Sequence, residues 1–124
     1  TKCGAVSAAI AGGDAGGNVS QLVTKITPAV ERTRQQHPDL EAKELLTAAV
    51  RENVWQSIFD LVRTSSTVRE LLHENKIQVV GAVYDVATGK VEWIGEHPWQ
   101  DALVQAFETR EAKPAAAVAH EKED

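Results

Sequence analysis

Residues 76–85, KIQVVGAVYD, constrain the fold more than any other part of this 124-residue chain. Ile77, Val79, Val80, Val83 and Tyr84 put β-branched and aromatic side chains on both faces of an extended segment, the pattern of a strand covered on both sides within a sheet. VATGK then turns the chain, with Gly89 free to take a positive φ. KVEWIG follows with Val91 and Trp93 set against Glu92, so the two runs predict a β-hairpin. The rest of the sequence offers helices and no further strand. A strand apolar on both faces belongs in a sheet wider than one hairpin, so the missing strands are expected upstream of Thr1. The unpaired edge also predicts self-association or pairing with another chain.

Ahead of the hairpin the periodicity is helical. CGAVSAAIA, residues 3–11, is rich in small residues of good helix propensity, and Gly12-Gly13 can end that helix in a left-handed cap. GGDAGGN is a loop. Asn18 reads as the N-cap of a second helix with Val19, Leu22, Val23 and Ile26 on one face. Thr27-Pro28 reads as the start of a new or kinked helix ending near His37-Pro38. From Asp39 as N-cap, Leu40, Leu45, Leu46, Ala49, Val50, Val54, Ile58, Leu61 and Val62 recur at helical spacing and mark the longest helix. Thr67 and Glu70 stand at capping-box spacing for the next, which Asn75 ends. After the hairpin, Pro98 begins a last helix carrying Trp99, Leu103, Ala106 and Phe107. KPAAAVAHEKED lacks periodicity, so residues 113–124 are expected as a mobile acidic tail and residues 1–112 as part of a single domain.

Charge and composition exclude several classes of function. The 13 Lys and Arg are scattered against 18 Asp and Glu, a net charge of -5, which leaves no basic footprint for nucleic acid and no polybasic membrane patch. No apolar run approaches the roughly 18 residues of a membrane span, and residues 1–13 lack the basic start and apolar centre of a signal peptide. A soluble, cytoplasmic chain is expected, and a single cysteine, which cannot form an intrachain disulfide, fits a reducing compartment.

That cysteine, Cys3, is the one candidate for metal chemistry. A lone cysteine is most often a small buried hydrophobe. Its place at a helix start favours the thiolate, the form that attacks electrophiles and binds soft metals. Zinc would need three further positions filled, and none of His37, His73, His97 or His120 stands at ligand spacing from it. Local sequence therefore cannot close a site. Gly12, Gly13, Gly16 and Gly17 do not fit G-x-G-x-x-G. The spacing from Gly12 to Gly17 is followed by Asn18-Val19 rather than by Lys and Ser or Thr, so nucleotide binding is not expected. Trp55, Phe59 and Trp99 read as packing or interface residues, since no basic groove accompanies them.

Read in order, TKCGAV, GNVSQLVTKITPAV, ENVWQSIFDLVRTSSTVRELL and KIQVVGAVYDVATGKVEWI resemble the carboxy-terminal half of a β-class carbonic anhydrase, from Thr1 to about Gly95. The resemblance implies an α/β fold, a parallel sheet flanked by helices with an antiparallel edge strand, here seen as several helices, a hairpin and a last helix. It implies subunits that pair as a homo-oligomer. It also implies zinc held by two cysteines and one histidine, with reversible hydration of carbon dioxide to bicarbonate. Zinc in such an open site lowers the pKa of bound water to about 7. By the same resemblance Cys3 is a zinc ligand, Gly4 is the small residue past which substrate approaches, and no catalytic residue is carried over. Tyr84 matches a tyrosine that in some bacterial members helps hold a regulatory bicarbonate with a tryptophan and an arginine from the earlier half. The ligand histidine would stand immediately before Thr1, and the first cysteine motif with its aspartate-arginine pair further upstream. The expected protein is a fragment of a zinc lyase, inactive alone. Two other readings compete: a non-catalytic association module or a member whose metal site is lost, and the same fold acting on a carbon dioxide analogue such as carbon disulfide.

Overall fold

Small residues and glycines decide where the first helices begin. The computed structural model describes residues 2–13 and 16–120. Helix α1 runs over Gly4–Ile10 with Cys3 as its N-cap, followed by α2 over Gly17–Gln36. Asn18 is not the cap of α2: Gly16 is, because Gly16 and Gly17 take φ of 72° and 56°, a region that glycine enters without strain, and the chain turns into the helix ahead of Asn18. Pro28 sits inside one continuous α2. Thr27 does not cap a new helix, and its hydroxyl instead donates to the Val23 carbonyl at 2.9 Å. The buried face of Val23, Ile26, Ala29, Val30 and Thr33 runs through the proline, and its packing offsets the one backbone bond that Pro28 cannot make. Val19 and Leu22, expected on that face, are half exposed.

Residues 37–41 form a turn, with the Leu40 amide bonded to the His37 carbonyl, so the long helix α3 spans Ala42–Thr64 and starts after Asp39 rather than upon it. Helix α4, Ser66–His73, is capped by Ser65, whose hydroxyl accepts from the Val68 amide at 3.2 Å, instead of by Thr67. Asn75 ends this segment as expected, with φ of 56°. Strands β1 (Gly81–Asp85) and β2 (Lys90–Gly95) pair antiparallel with Tyr84 opposite Val91 and Ala82 opposite Trp93. Gly89, at φ 71°, closes the turn with its amide on the Asp85 carbonyl at 2.8 Å. Helix α5 covers Gln100–His120.

The expected hairpin is the only sheet among the described residues, and it is antiparallel, so those residues make a helix-rich fold with one two-stranded ribbon. Residues 113–120 of the segment expected as an acidic tail fall within α5, where the alanines at 115–117 and 119 carry high helix propensity even without an amphipathic period. Residues 121–124 lie outside the described part.

The chain divides into two compact units, Thr1–Ser57 with Gly81–Gly95, and Ile58–Val80 with Glu96–Asp124. In the first, Val6 and Ala9 of α1, Val23, Ile26 and Val30 of α2 and Ala49 of α3 form the buried core. Arg34 donates to the Ile10 carbonyl at 2.7 Å and so satisfies the end of α1. Arg32 ties α2 to α3 through Glu52 at 2.8 Å and Gln56 at 2.7 Å. The hairpin lies against α3: a Cβ placed on Gly81 would stand 2.6 Å from Val54 Cγ1 and 3.1 Å from Ile94 Cγ1. Arg51 and Glu92 add an ion pair between α3 and β2.

In the second unit Phe59 and Phe107 meet edge to face with centroids 5.7 Å apart. Arg69 is 1% exposed, and its Nη1 donates to the Val62 carbonyl at 2.8 Å and the Arg63 carbonyl at 3.1 Å, which otherwise lack partners at the end of α3. Its Nη2 lies 2.6 Å from Glu111 Oε1, a charge contact too poorly aligned to count as a hydrogen bond, and Glu111 is 63% exposed.

Two stability measurements follow from this packing. In urea titration, Arg69→Ala loses about 3 kcal/mol, since two buried carbonyls lose their donor, whereas Glu111→Ala loses no more than about 1 kcal/mol because water replaces it. Gly81→Ala loses about 1–3 kcal/mol by overpacking against Val54, and Gly81→Ala with Val54→Ala recovers part of that loss.

Candidate functional site

Cys3 is placed by the start of α1. Its backbone is extended, at φ -119° and ψ 113°, and its carbonyl accepts the Ser7 amide at 2.9 Å to open the helix. The side chain makes no capping bond and is half-buried, packed on the edge of the core of Val6 and Ala9. The same residue lines a cavity of about 430 Å³. Lys2, Cys3, Gly4 and Val6 form one wall, Val50, Asn53 and Val54 of α3 a second, and residues 82–86 a third. Cys3 thus serves as a small hydrophobe on one side and as a cavity residue on the other.

Gly4, the residue predicted to let substrate approach, is exposed on this cavity, and a Cβ built there meets nothing within 4 Å. Tyr84 lines the cavity too. It is 60% exposed, on the same face of the hairpin as the exposed Val91 and Trp93. Asn53 and Asp85 are brought to the cavity without having been singled out in sequence. Asp85 had a readable signal, a carboxylate closing an apolar strand, but its Oδ1 accepts the Ala87 amide at 3.0 Å and so serves the turn as well. Asn53 had none, being one polar residue among several on a long helix.

The donor set does not make a metal site by itself. Among the described residues no group of three or more His, Cys, Asp or Glu side chains converges. His37 is exposed at the end of α2, and His73 is exposed in the last turn of α4. His97 is held by its own turn, where Nδ1 accepts the Trp99 amide at 3.0 Å. None of these three lines the cavity beside Cys3. The side chain of His120 lies outside the described part. Cys3 alone does not fit a zinc ion, which takes four ligands or three and a water. No described helix is long and apolar enough to cross a membrane.

The family model described as carbonic anhydrase matches residues 1–91, which takes in α1, the cavity walls and β1. Comparison with curated proteins and with solved structures gives no match.

The open space above Gly4 has a measurable consequence. Gly4→Ala leaves the urea midpoint of the chain unchanged or raises its stability by up to about 1 kcal/mol, because alanine is the better helix former and meets no neighbour. A loss of more than that would mean that the position is crowded.

Proposed function

The chain belongs to the carbonic anhydrase family, and from that membership we propose that it is the carboxy-terminal part of a β-class zinc lyase interconverting carbon dioxide and bicarbonate. The observation that carries the proposal is that the matched stretch sets Cys3 and Gly4 side by side on the wall of a cavity of about 430 Å³, with a soft donor next to an unobstructed backbone. In this reading Cys3 is one zinc ligand and the remaining ligands come from outside the chain, as the donor count requires. Gly4 keeps the approach to Cys3 clear for a small linear substrate. Tyr84, exposed on the same cavity, is available to an anion only with partners that the described residues do not supply. The parallel sheet, a cytoplasmic location and assembly into a homo-oligomer are parts of the same proposal.

A second reading, an association module without catalysis, draws support from the hairpin face that carries Tyr84, Val91 and Trp93, with Trp93 71% exposed.

Two proteins and two substitutions separate the readings. The 124-residue chain alone binds zinc weakly and does not hydrate carbon dioxide above background, since one thiolate leaves most of the coordination shell to water. The chain extended upstream to supply a histidine and a second cysteine binds zinc stoichiometrically and is active. In the extended protein Cys3→Ser removes most of both properties, and Gly4→Val lowers kcat/KM by at least about tenfold while zinc content stays the same. Tight zinc binding by the short chain, or full activity of Cys3→Ser, would remove Cys3 from the ligand set. An extended protein that binds no zinc yet sediments as an oligomer would favour the association module.

A further inference from the structure

Arg69 in the second unit carries more hydrogen-bonding capacity than its neighbours use. The residue is 1% exposed, and its Nη1 is committed to the Val62 and Arg63 carbonyls. Nε and Nη2 are buried as well, and neither has a hydrogen-bond partner among the described residues. These two nitrogens share one edge of the planar guanidinium and aim parallel N–H bonds in one direction, a fork that matches the two oxygens of a carboxylate. A buried donor without an acceptor is costly, and a buried charge more so, which favours an anion at this edge. One carboxylate already approaches it. Glu111 Oε1 stands 2.6 Å from Nη2, yet it makes no hydrogen bond to either nitrogen, and its side chain is 63% exposed.

We propose that the Nε–Nη2 edge of Arg69 binds a small free carboxylate through two parallel N–H···O bonds, and that Glu111 is the internal competitor for that edge. Glu111 reaches the edge from α5 at an angle that satisfies neither donor, whereas a free anion is under no such restraint and takes both. Turning the Glu111 side chain fully into solvent opens the way. The edge-to-face contact of Phe107 with Phe59, one turn earlier on α5, holds the helix in place meanwhile. Arg69 keeps its positive charge neutralised throughout, and its Nη1 goes on closing the end of α3. The groups around the edge come from α3, α4 and α5 of this chain, all within the second unit. None of them lines the cavity beside Cys3, so the site does not depend on whether Cys3 holds zinc.

The test uses the full 124-residue chain labelled with ¹³C and ¹⁵N, in which the Arg69 Nε–H signal is assigned through its own side-chain carbons. Sodium formate replaces sodium chloride stepwise at neutral pH and constant ionic strength, so that screening stays fixed. The Arg69 signal moves saturably with a midpoint on the order of 10 mM, within the limit for a ligand this small. In Glu111→Ala the midpoint falls by about two- to fivefold, the ratio that an exposed ion pair can hold back. The Nε–H signal of Arg63, in an exposed pair with Asp60, does not saturate. A linear drift of the Arg69 signal in both proteins would overturn the proposal. So would a midpoint unchanged or raised in Glu111→Ala, which would show that Glu111 does not compete for the edge. So would equal saturation at Arg63, which would reduce the effect to a general attraction of formate to arginine.

Discussion

The absence of a side chain at Gly81 is the constraint on which the first unit depends. The hairpin can lie on α3 only because nothing projects from that residue: a methyl group there would overlap Val54 and press on Ile94. Bringing β1 this close to α3 sets the distance between the two walls of the slot, and α1, packed on α2 and Ala49 of α3, supplies the third. The slot beside Cys3 therefore follows from a backbone approach and not from any polar interaction. Arg51 and Glu92, both well exposed, fasten the rim, and an ion pair in water contributes little by comparison.

Cys3 stands where two requirements meet. Packed on the core of α1 and α2, it fills space as any small apolar residue would, yet it also faces the slot, where the backbone of Gly4 is open. A family member uses such a residue as a metal ligand only when other donors converge on it. The described residues bring Asn53, Tyr84 and Asp85 to the slot, an amide, a phenol and one carboxylate already engaged with its turn. That set does not complete a zinc site with Cys3, which needs further donors. The second unit is organised around a different burial, that of Arg69, whose guanidinium closes the end of α3 from within and tolerates an exposed counter-charge at Glu111.

Local chemistry was the legible part of this sequence. Alanine-rich α1 with Cys3 at its start, the helical periodicity of α3, the αL residue Asn75 and the hairpin around Gly89 all follow from propensity and turn preference over a few residues. The misreadings came where two local signals competed. Asn18 and Thr67 are good caps, but Gly16 and Ser65 stand ahead of them and start the helix first. Pro28 marks a helix break in isolation, and the buried face running through it carried the helix on.

By itself the sequence determined the order of the elements, the family and the pairing of Cys3 with Gly4 at a helix start, since each is written in neighbouring residues or in an ordered run of them. Only the tertiary structure decided which edge of β1 pairs with β2, that Tyr84 and Trp93 are exposed, and that Asn53 and Asp85 share a slot with Cys3. Those facts depend on contacts between residues tens of positions apart, set by the packing of Gly81 on Val54 and of α1 on α2. No periodicity along the chain records which side of a strand its partner takes.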